Sequence, residues 1–74
     1  MKLFIFQSGG KSGLRAFTGD SDGRMLPPRF APWDITGIVA AAQALPRGLP
    51  RGVVEREIRS RGFQLWRLRK KQQL

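Results

Sequence analysis

Seventy-four residues carry fourteen basic and five acidic side chains, a formal net charge of +9, which speaks to partners far more than to reactions. Cysteine and histidine are both absent, so no disulfide and no ordinary structural zinc site can staple the fold. With tyrosine also missing, the commonest catalytic bases and nucleophiles are gone; the 41% apolar content still suffices for one small core and argues against disorder.

At the N-terminus, Leu3 to Phe6 is an apolar run of only four residues, against the roughly 7–15 of a secretory signal. No later run approaches the ~18 apolar residues of a membrane span, so the expectation is a cytoplasmic protein of one small domain, 1–74, with a frayed basic tail at about 70–74. Lys2 to Gln7, rich in aromatic and β-branched residues, predicts a strand that ends at the glycine-rich turn Ser8 to Gly13. Leu14 to Thr18 alternates and is stopped by Gly19-Asp20-Ser21-Asp22-Gly23, so the two segments predict a β-hairpin with a long loop. Arg24 to Trp33 holds Pro27, Pro28 and Pro32 and reads as irregular crossover chain.

Asp34 then stands where an N-cap would, ahead of Ile35, Ile38, Val39 and Ala42 at helical spacing, which predicts a helix over Ile35 to Leu45. Gly37 and the β-branched residues weaken its first turn and leave an extended start open. Pro46, Gly48 and Pro50 separate a second helix, Arg51 to Arg61, where Val54 and Ile58 are apolar and Glu55–Arg59 and Glu57–Arg61 are favourable i,i+4 pairs. Gly62 suits a helix C-terminus, and Phe63 to Arg69 predicts a last strand. The expected fold class is α+β: a small three-stranded antiparallel sheet with two helices on one face, in the order β-β-α-α-β.

Strand alternation sorts the side chains into an aliphatic set, Leu3, Ile5, Leu14, Ala16, Phe63 and Leu65, and an aromatic and basic set, Lys2, Phe4, Phe6, Arg15, Phe17, Gln64, Trp66 and Leu68. If the aliphatic set faces the helices, the aromatic set forms an open sheet face. Three readings of the aromatics stay open: core packed under the helices, which is the commonest fate of such residues, a homodimer interface, or a surface that stacks bases beside cations.

Two motifs dissolve on inspection. Gly10-Lys11-Ser12 resembles the end of a phosphate-binding loop, but the earlier glycine that loop needs is Ile5, inside the strand. Asp20-Ser21-Asp22-Gly23 resembles the opening of a calcium loop, but its closing glutamate position is Ala31, so a solvated Asx turn is the expectation. Trp33 is expected to cap the core where the crossover ends. The five carboxylates lie in a turn, at a cap or opposite arginines, so no enzyme activity, cofactor, metal or small-molecule substrate is expected.

What remains is the cationic C-terminal third: nine basic residues from Arg47 to Lys71 against Glu55 and Glu57. Arg59 and Arg61 at the helix end, Trp66, Arg67, Arg69, Lys70 and Lys71 after it, and Arg15 with Phe17 from the hairpin are the candidate residues for non-specific nucleic-acid contact. A solvated basic terminus is the plainer reading of the tail, and it lacks the apolar face that lipid association needs. The alternative function is a protein-interaction or homodimerisation module that uses the open aromatic face.

Phe17-Thr18, Asp20 to Gly23, Leu26-Pro27, Pro32-Trp33 and Gly62-Phe63-Gln64-Leu65-Trp66-Arg67 together resemble a family of short uncharacterised bacterial proteins, over most of the chain. The resemblance implies a small α+β domain of bacterial type and attaches no activity, cofactor or residue role.

Overall fold

A computed structural model of the chain describes residues 1–67; Arg69, Lys70, Lys71 and the expected tail at about 70–74 lie outside the described residues. Strand β1 (Leu3–Ser8) and strand β2 (Leu14–Thr18) form the expected antiparallel hairpin, with Ile5 opposite Phe17 and Gln7 opposite Arg15. Ser8 fixes its loop. The buried Ser8 hydroxyl accepts the N–H groups of Gly10 (3.1 Å) and Lys11 (2.9 Å) and donates to the Phe30 carbonyl at 2.5 Å. Gly9 N–H donates to the Pro32 carbonyl, so the crossover lies along the turn, and a Cβ at Gly10 would stand 2.8 Å from the Ala31 oxygen.

The expected three-stranded sheet with two helices is not what forms. Among the described residues the sheet has four antiparallel strands in the order β3-β1-β2-β4, and there is one α-helix, α1 (Arg51–Arg61), besides short 3-10 turns at Pro28–Phe30 and Pro46–Gly48. The segment expected to be the first helix is instead strand β3 (Trp33–Val39), paired with β1. Asp34 therefore caps nothing; it sits opposite Gln7 in the ladder.

A β-bulge explains the misleading pattern. Ile5 pairs with Gly37 and Phe6 with Ile35, which leaves Thr36 as the extra residue. Ile35 and Ile38 thus emerge on one side of the sheet, opposite Phe6 and Phe4, although they are three apart. An i,i+3 pair in a strand with one bulge looks like an i,i+3 pair on a helix. Intrinsic preference then decides for the strand: Ile35, Thr36, Ile38 and Val39 are β-branched, and Gly37 would cost a helix about 1 kcal/mol relative to alanine.

α1 has the boundaries that its sequence predicts. Arg51 Nε bonds Glu55 Oε2 at 2.7 Å within the first turn, and Gly62 ends the helix at φ 94°, its N–H returning to the Ile58 carbonyl at 2.7 Å. The buried Thr18 hydroxyl donates to the Gly62 carbonyl at 3.0 Å, tying the helix end to the hairpin. Strand β4 (Gln64–Arg67) follows beside β2, with Trp66 opposite Arg15 and Gln64 opposite Phe17.

This register redistributes the two sets of side chains. Leu3, Phe17 and Val39, with Ile5 and Trp66, pack under Val54 and Ile58 of α1 and under Leu45 and Leu49. Phe6 and Ala16, with Phe4, Phe63 and Leu65, pack on the other side under Leu26 and Trp33 of the crossover, where Trp33 Nε1 donates to the Pro27 carbonyl at 2.9 Å. Opposed residues share a face, so Leu3 and Ile5 of β1 go with Phe17 and Trp66 rather than with Ala16 and Leu65. No single open aromatic face results, because the aromatics are divided between the two sides and Phe6 is covered.

Candidate nucleic-acid interface

The candidate residues that are described gather on three connected elements: Arg59 and Arg61 in the last turn of α1, Trp66 and Arg67 on β4, Arg15 and Phe17 on β2. Their situations differ. Phe17 is 0% exposed and stacks on Trp66, with ring centroids 5.5 Å apart and planes 12° from parallel. It offers no face to a base and belongs to the core. Trp66 is half-buried, with Phe17 against its indole and the Arg15 guanidinium carbon 6.0 Å from its ring centroid.

Arg15 is the unusual cation of the set. Its Nε and the Trp66 Nε1 are buried, and neither has a hydrogen-bond partner among the described residues. A buried donor left unpaired costs about 1–3 kcal/mol, and these two N–H groups lie on neighbouring strands at directly opposed residues. On the α1 side of the sheet they complete a cross-strand row, Asp34, Gln7, Arg15 and Trp66, whose first two members are exposed. Gln7 and Asp34 were not among the sequence candidates; only the register of three strand pairs aligns them, and no local pattern carries that information.

Of the helix arginines, Arg51, Arg59 and Arg61 are matched, while Arg56 has no carboxylate partner among the described residues. Arg59 lies 3.5 Å from Glu55 and Arg61 3.2 Å from Glu57, with both guanidinium-bearing side chains more than half exposed. Such exposed pairs are worth about 0–1 kcal/mol and part readily for another anion. Arg67 is exposed, and because it opposes Leu14 it lies on the face away from α1, whereas Arg15 lies on the α1 face. The two arginines therefore flank the β4 edge from opposite sides. Neither has a carboxylate partner among the described residues.

The two dismissed motifs are structural. The Gly10 and Lys11 N–H groups are occupied by Ser8 Oγ, so they do not cradle a phosphate. The Asp20 carboxylate accepts from Asp22 N (3.0 Å) and Arg24 N (3.4 Å), closing the turn on itself as an Asx turn. Those backbone donors, the Asp22 N–H foremost, together with the Arg24 charge hold the Asp20 carboxyl below its ordinary pKa. Among the described residues no helix is long and apolar enough to cross a membrane. Comparison with known protein families, with curated proteins and with solved structures finds no match for this chain.

Proposed function

We propose that this chain is a non-catalytic, cytoplasmic binding module that contacts nucleic acid without sequence preference, through phosphates laid along the β4 edge. The observation that carries the reading is the contrast among arginines. Arg51, Arg59 and Arg61 on α1 are each met by Glu55 or Glu57, and Arg56 by neither; Arg15 and Arg67, which flank the β4 edge from its two faces, are met by no described carboxylate. An arginine with no carboxylate partner, in a chain of net charge +9, suits an oxygen anion supplied from outside.

The burial of Phe17 shapes this reading. With that ring in the core, and with Trp66 flanked by Phe17 and Arg15, base stacking contributes little and phosphate contacts dominate. Affinity is then expected to fall steeply with salt and to differ little between single-stranded RNA and duplex DNA of equal charge density. Fluorescence anisotropy over a salt series checks this. Arg15→Gln and Arg67→Gln are each expected to lower the slope of log affinity against log salt by about one. Absence of binding at low salt, or a slope unchanged in the folded double variant, defeats the proposal.

A further inference from the structure

The two edges of the sheet are chemically unlike. Around β4 lie Arg15, Arg67 and the arginine-bearing end of α1; at the other margin β3 carries only Asp34, and the one cation beside β1 is Lys2, whose ammonium lies over the Phe4 ring. Among the described residues no strand pairs with the outer edge of β3. An edge strand presents unpaired backbone N–H and C=O groups, and folded proteins usually guard it with lysine, proline or brevity. β3 has seven residues and none of those guards within it. Its bulge, elsewhere a guarding device, here turns two isoleucines to one side, with Ile35 48% and Ile38 57% exposed.

We propose that the outer edge of β3 is a homodimer interface, at which β3 of a second copy pairs antiparallel and extends the sheet to eight strands. The exposed backbone ladder selects an extended strand as the occupant. Side-chain order selects a copy of β3 itself. Antiparallel self-pairing about the midpoint between Thr36 and Gly37 sets Ile35 of each copy opposite Ile38 of the other, giving two apolar cross-strand pairs. The same register sets Asp34 opposite Val39, so the two carboxylates do not meet.

Charge selects the same place. Two chains of +9 repel; β3 itself carries no cation, only the Asp34 carboxylate, and the nearby Lys2 ammonium lies one strand in, 5.9 Å from the Phe4 ring centroid, so a second copy meets less positive charge here than at β4. Joined there, the dimer keeps both β4 edges at its outer ends. Dimerisation through β3 and nucleic-acid binding along β4 use different edges and respond to salt in opposite directions.

Size-exclusion chromatography with light scattering, over a range of protein concentrations at low salt and at about 0.5 M salt, is the test. The mass is expected to move from one chain to two with concentration, and at lower concentration in high salt, where self-repulsion is screened. The double variant Ile35→Lys/Ile38→Lys, altered at two exposed positions, is expected to raise the half-association concentration more than about tenfold, whereas Arg67→Gln leaves it unchanged. A one-chain mass under every condition overturns the proposal, as does a dimer that persists in the folded double variant or is dispersed by salt. Should that variant unfold, hydrogen exchange on the unaltered protein decides: slowing of the Ile35 to Val39 amides with rising concentration supports the interface, and protection independent of concentration overturns it.

Discussion

Arg15 and Phe17 are two residues apart on β2 and share a face, yet one is anchored and the other unpaired. Phe17 lies at the centre of the α1 side of the sheet, touching the cluster of Leu3, Val39, Val54 and Ile58, with Trp66 stacked on it. Removing its ring leaves a cavity that flanking strands cannot close, so Phe17→Ala is expected to cost about 3–5 kcal/mol. A chain this small has a stability of only about 3–5 kcal/mol to lose. Far-UV circular dichroism at 25 °C is therefore expected to show Phe17→Ala largely unfolded, and a native spectrum with an unchanged denaturation midpoint would refute this packing. Nothing local distinguishes Phe17 from an exposed aromatic in the sequence. The segment Leu14 to Thr18 alternates, but alternation names two faces without saying which is covered.

At the scale of elements, the hairpin and α1 were legible because their signals are local. Ser8 to Gly13 and Gly19 to Gly23 delimit β2, while Pro50 and Gly62 bracket α1. β3 was not legible, since its bulge places Ile35 and Ile38 on one side at a spacing that a helix would also use. Asp34 separates the two assignments experimentally. As an N-cap it would cost about 1 kcal/mol on replacement by alanine. At an exposed strand position opposite Gln7, Asp34→Ala is expected to stay within about 0.5 kcal/mol of the parent in urea denaturation. A loss near the capping value would restore the helix. The sequence predicts the last strand over Phe63 to Arg69; within the described residues it runs over Gln64–Arg67, where its partner β2 supplies the ladder.

Across the whole molecule the net charge of +9 has one direct energetic consequence. Five ion pairs between side chains, all involving Arg24, Arg51, Arg59 or Arg61, use every glutamate and both loop aspartates among the described residues, so the remaining cations repel without local relief. Raising salt from about 0.01 to 0.15 M shortens the screening length from about 30 to 8 Å and is expected to raise the melting temperature by several degrees. A melting temperature that falls over this range would show that the surface ion pairs outweigh the self-repulsion.

Composition by itself determined that no disulfide and no ordinary structural zinc site staples this chain, that it is poor in the commonest catalytic groups, and that it carries a net charge of +9. Short-range order determined the hairpin and α1, whose turn and capping residues act within a few positions. Only the tertiary structure decided that residues 33–39 extend along β1, that Phe17 and Trp66 lie beneath the helix side, and that β3 and β4 form the opposite edges of the sheet. The reason is pairing register. A shift of one residue exchanges every side chain between faces, and the contacts that fix it join residues as distant as Thr18 and Gly62.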